Sequence, residues 1–266
     1  MSFFQSLFKP ATPATPAAPK VQPVAVTPIP QQLPKISAPT AAELSPQINP
    51  SPEAQKILAA NPQQTPSQYL NALQEKQMGG EMTKTLAHGM PDREGVMWAS
   101  QSAEKVSGNL PPEDANALKA AQAWVKNPTE ANQATAAAAA AKTNYQGPGA
   151  WAAQGAAWSQ PATPAAATSA AVPTAMPRLT PDAVVGAVLL AAAIKANPAL
   201  AAPKIQAPTL QAPTITSPVL EAPQIAAAVP QAPAVVPPQV QAQMFREQQP
   251  FIASGIDIAS GKTPCG

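Results

Sequence analysis

The sequence predicts an all-α protein: a small Ala-rich helical domain with long Pro-rich extended or disordered segments. Three observations predict it. Of 266 residues 36 are proline, and several stand after Ser or Thr at positions that open helices. Hydrophobic residues make up 45% but aromatics only 4%, so alanine supplies most of the apolar content. Residues 10–39 and 203–238 carry nine prolines each, a density that favours extended, polyproline-II-like chain without a core of its own. Such a composition argues against one compact 266-residue domain.

The elements follow in chain order. Residues 1–9 hold Phe3, Phe4, Leu7 and Phe8. On a helix these positions form one face, a short amphipathic peptide of the kind that enters a partner's groove. Contact with a membrane surface through Lys9, or packing on the protein's own domain, competes with that use. Residues 10–49 form a Pro-rich arm. Ser51-Pro52-Glu53 and Thr65-Pro66 then each place a cap before a proline at the first helical position. Tyr69, Leu70 and Leu73 make an apolar face that runs to Met78, where Gly79-Gly80 interrupts it. A following helix holds Met82 and Leu86, and Met90-Pro91-Asp92 opens another with Trp98 at helical spacing. Pro111-Pro112-Glu113-Asp114 starts the next, with acids in its first turn and Lys126 in its last, as the helix dipole favours. Its buried face includes Ala117, Leu118, Ala121, Trp124 and Val125.

Ala136 to Ala141 is a strong helix former after the break at Asn127-Pro128. Gly147-Pro148-Gly149 ends that segment, and Trp151 and Trp158 fall on one face of a short helix. Thr180-Pro181-Asp182 combines cap, proline and acid. The helix it opens is apolar nearly all round and belongs at the centre of the domain. The helical domain thus spans 50–198, with four tryptophans supplying most of its large side-chain volume.

Residues 199–243 form a spacer in which Pro203, Pro208, Pro213, Pro218 and Pro223 recur every five residues. It is either a semi-rigid reach or a row of docking peptides. The apolar residues of 244–266 are expected to fold back onto the domain as a terminal helical segment.

Composition limits the function. The formal charge is +2, from sixteen basic and fourteen acidic residues. No basic patch invites nucleic acid. One His and one Cys cannot assemble a Cys/His metal site, and neither a metal nor another cofactor is expected. Residues 1–9 do not read as a signal peptide. The apolar run from Ala183 to Ile194 is too short for an integral membrane segment, so the expected location is the cytoplasm.

The densest chemical cluster runs from Leu86 to Trp98. His88 could serve as a general base oriented by Asp92 or Glu94, but no nucleophile completes the set, although Ser100 and Ser102 follow. The simpler expectation is structural: acids at a helix start, Arg93 on a carboxylate or carbonyl, and His88 capping the preceding helix. No catalytic residue is assigned.

Leu86-Ala-His-Gly-Met-Pro-Asp-Arg-Glu-Gly-Val-Met-Trp98, the block around Trp124, Gly149-Ala-Trp-Ala-Ala and Ala183-Val-Val-Gly-Ala-Val-Leu-Leu190 together resemble an uncharacterised bacterial all-helical domain family. Its motif matches here at Pro91, Arg93, Glu94, Val96 and Trp98, with His88 and Trp124 in the same blocks. Phe251-Ile-Ala-Ser-Gly-Ile-Asp-Ile-Ala-Ser-Gly261 is similar to the family's terminal segment. The resemblance brings no established activity, only a loose association with type VI-like secretion gene neighbourhoods. The Pro-rich arms and the aromatic N-terminal peptide point instead to a non-enzymatic adaptor or accessory protein with protein partners. The alternatives are a structural component of a secretion apparatus or virion, and a hydrolase-like enzyme using His88.

Overall fold

A computed structural model describes residues 26–159, 178–201 and 238–263. The aromatic peptide with Phe3, Phe4, Leu7 and Phe8, residues 10–25 of the N-terminal arm, the five-residue repeat and Cys265 lie outside these residues. Among those described, ten α-helices and no strand occur, so the protein is all-α.

Local chemistry starts the helices whose first turns Ser51, Thr65 and Thr129 cap. α1 is Ala41–Ile48 and ends on Asn49, whose left-handed φ of 46° lets its N–H reach the Ser45 carbonyl. α2, Pro52–Ala60, is capped by Ser51, whose Oγ accepts from Ala54 N. α3, Pro66–Glu75, carries a capping box: Thr65 Oγ1 accepts from Gln68 N while Gln68 Oε1 accepts from Thr65 N. α4 is Gly79–Gly89, α5 Asp92–Glu104 and α6 Pro112–Lys126. α7, Glu130–Lys142, is capped by Thr129. α8 is Pro148–Trp158, α9 Leu179–Ala196 and α10 Pro238–Ala259.

α8 and α9 pack on each other and α5 packs on both; α6 and α7 cover α8, while α4 and α10 flank α9. Small residues permit the close approaches: a Cβ on Gly186 would stand 3.3 Å from the Trp151 ring, and one on Gly155 3.4 Å from Val96. Helix spacing depends on the side chains at the contact, and glycine and alanine let axes come near.

Five sequence expectations need correction. The helical unit does not begin at residue 50. Leu33, Ile36, Leu44 and Ile48 are buried in the core, and Lys35 N donates to the Ala259 carbonyl. These residues are the large apolar ones between the prolines, and burying them outweighs the helix bond that Pro46 removes inside α1. The terminal helix starts at Pro238, not Met244. Thr180 does not cap α9: the helix begins two residues earlier, at Leu179, Arg178 is at the cap, and Thr180 is buried. The face of Tyr69, Leu70 and Leu73 does not run on to Met78: α3 stops at Glu75, and α4 opens at Gly79. Trp158 is 37% exposed, so the bulk of the core comes from Trp98, Tyr69, Phe245 and Phe251 as much as from the other tryptophans.

The helix α9 extends over 18 residues, beyond the twelve-residue apolar run. By length and composition it is apolar enough to cross a membrane, and half of it is buried among the other helices.

Candidate functional site

The cluster at 88–98 sits where α4 ends and α5 begins, and each of its polar side chains reaches another part of the chain. His88 lies in the last turn of α4 and is 6% exposed. Its Nε2 stands 3.4 Å from Oδ1 of Asp182 in the first turn of α9. Burial lowers the imidazole's affinity for a proton; Asp182 works against that shift and the Arg178 guanidinium adds to it. Its Nδ1 is buried without a hydrogen-bond partner.

Neither acid proposed for His88 serves it. Asp92, at the start of α5, pairs with Arg178 at the cap of α9, whose Nη2 also reaches the Met90 carbonyl at 3.5 Å. Glu94 pairs with Lys35 of the N-terminal segment at 2.8 Å. The geometry that general-base catalysis would need, His88 against Asp92 or Glu94, is therefore replaced by His88 against Asp182. Ser100 and Ser102 are buried on α5, their hydroxyls without partners.

The remaining motif residues make joints. Pro91 is the cap of α5 and its carbonyl accepts from Gly95 N at 3.0 Å. Arg93 Nε donates 2.8 Å to the Val125 carbonyl in the last turn of α6, one of the acceptors a helix end leaves unsatisfied. Trp98 is fully buried and its Nε1 donates 2.9 Å to the Phe251 carbonyl of α10. α10 comes close enough that a Cβ on Gly255 would stand 2.6 Å from the Trp98 ring. Trp124 is buried on α6.

One residue of equal weight has no such role in the sequence pattern. Asp114 looks like an ordinary first-turn acid of α6, yet it is 3% exposed and caps α8 instead. Its Oδ1 accepts from Ala150 N at 2.7 Å and its Oδ2 from Gly149 N at 3.2 Å. The space for this carboxylate exists because residue 147 is glycine: a Cβ there would lie 2.1 Å from it. Burial raises the carboxyl's pKa, and the two amide donors only partly offset that. The Gly-Pro-Gly run was the available signal, since two glycines flanking a helix-opening proline mark a close approach as well as a break. Lys35, Arg178 and Asp182 carried no local mark of their pairing.

Among the described residues no three His, Cys, Asp or Glu side chains gather as a metal site requires. An open groove of about 430 Å³ lies elsewhere, between the α3–α4 junction and α10, lined by Met78, Gly80, Glu81, Met244 and Phe245 among others.

No curated protein matches the chain, and no solved structure does. Residues 69–215, more than half of the chain and every motif residue from His88 to Trp124, match a family of unknown function (DUF6931), and the chain belongs to that family.

Proposed function

We propose that this protein is a non-enzymatic interaction protein whose helical unit holds, and whose aromatic N-terminal peptide recruits, a protein partner. One observation carries the proposal: the motif's ionic and polar side chains are each engaged in a joint between segments, with Asp92 on Arg178, Glu94 on Lys35, Arg93 on the end of α6 and Trp98 on α10. A catalytic cluster keeps its working groups converging on one reactive point, and these diverge toward four different segments. What the helical unit leaves for function are its extensions. Phe3, Phe4, Leu7 and Phe8 concentrate three of the five phenylalanines within six residues, the kind of anchor set that enters a groove. The setting we propose is an accessory role in a large bacterial assembly of the type VI-like secretion kind, supported by the sequence resemblance.

Affinity purification of the full chain beside a chain lacking residues 1–9 tests the proposal. Loss of at least one protein partner on deletion is the expected result, and an unchanged partner set would remove it. A His88→Ala chain that folds and retains its cellular role is expected as well; loss of that role with the fold intact would favour the enzymatic alternative.

A further inference from the structure

The open groove lies beside the point where the described chain begins. Thr27 is held between two helices: its N–H donates to Gln249 Oε1 of α10 at 3.2 Å, and its carbonyl accepts from Gln74 Nε2 of α3 at 3.1 Å. Gln248, next to Gln249, lines the groove, and so does Gln77, one turn beyond Gln74. The chain that precedes Thr27 therefore starts at the groove's edge.

The groove has the character of a docking site. Its apolar lining is Met78, Met244 and Phe245, and Met244 is 53% exposed. Methionine is flexible and polarisable, well suited to receiving aromatic rings. Beside these residues Glu81 lines the same space. One of its oxygens bonds Lys84, and the other, Oε2, is buried with no hydrogen-bond partner. Gly80 leaves the wall open, since a Cβ there would meet nothing within 4 Å. The volume falls in the range of ligand pockets, about 300–1,000 Å³.

We propose that the N-terminal peptide of this same chain docks here, with the side chains of Phe3, Phe4, Leu7 and Phe8 against Met78, Met244 and Phe245, and Lys9 beside Glu81. Three points select this occupant. The residues from Lys9 to Val26 join the peptide to Thr27, and at about 3.1 Å per residue they can span roughly 55 Å. Attachment in the same chain makes docking intramolecular, which favours the chain's own peptide over a free competitor. The charges also match in sign, because Lys9 follows the aromatic cluster directly and Glu81 lines the groove. In the docked state the peptide is withheld from other proteins, so the groove regulates the recruitment proposed above.

Limited chymotrypsin digestion of the full chain tests this, since residues 3–8 hold the cleavable aromatic and leucine sites. The rate at which these residues are lost, followed by mass spectrometry, tracks the undocked population. Met244→Asp and Gly80→Trp alter exposed or open positions, and each is expected to speed that loss by about tenfold while thermal unfolding stays unchanged. Gly80→Ala, which fills little, is expected to leave the rate as it is. Equal rates in all four chains would overturn the docking. Protection that disappears on dilution would overturn it in favour of a second copy as the occupant. Equal rates combined with partner loss on deletion of residues 1–9 would remove the docking and leave recruitment standing.

Discussion

At the scale of single residues, two buried ionisable groups act in opposite senses. His88 is the chain's one histidine, and burial lowers its pKa from the usual 6.5. The unfolded imidazole then takes a proton at a pH where the folded one does not. Stability from this group is complete above about pH 6.5 and is lost as the pH falls toward the folded value, by at most about 1.4 kcal/mol per pH unit. Denaturant titrations across that window are expected to show this slope in the native chain and not in His88→Asn. Asp114 has its pKa raised by burial, so its contribution is present below the ordinary carboxylate value and is lost as the pH rises through the folded one. Its structural role nevertheless depends on both oxygens. Asp114→Ala leaves the Gly149 and Ala150 amides buried without an acceptor, which costs about 1–3 kcal/mol. A lower urea midpoint at unchanged slope would register that cost. Neither partner was legible in the sequence: Asp182 and the α8 amides lie tens of residues away, and the Gly147-Pro148-Gly149 run marks a close approach without saying which side chain fills it.

At the scale of elements, what could be read locally was read well. The caps at Ser51 and Thr65 and the prolines at 52, 66 and 112 mark the starts of α2, α3 and α6, because those signals act within four residues. α1 escaped notice since its sequence, with Pro46 inside it, looks like the prolines before it; packing of Leu44 and Ile48 decides the matter. The start of α9 slipped for a related reason, the tertiary pull of Asp92 on Arg178 competing with a strong local cap. α10 illustrates packing against one specific neighbour. A Cβ added at Gly255 would lie 2.6 Å and 2.7 Å from two atoms of the Trp98 indole, a rigid ring pinned by its own hydrogen bond. Gly255→Ala is therefore expected to destabilise by about 1–3 kcal/mol despite alanine's better helix propensity. A thermal midpoint at or above that of the native chain would show that α10 can shift away from the ring.

At the scale of the whole molecule, the helical unit is closed by its two ends. Lys35, Leu33 and Ile36 come from one side of the family's matched span, and Phe245, Phe251, Ile252 and Ile256 from the other. Both lie outside residues 69–215, yet they meet each other, Lys35 N bonding to the Ala259 carbonyl. The last helix reaches the core only after the chain between Ala201 and Pro238 has been made. At roughly 5–20 residues per second of synthesis, α5 and α9 wait several seconds for the partner that covers Trp98. During that interval the indole N–H has no Phe251 carbonyl and the surrounding apolar surface faces water. The nascent protein thus passes through a stage at which its largest core side chain is open to whatever binds first, and the terminal helix decides how long that stage lasts.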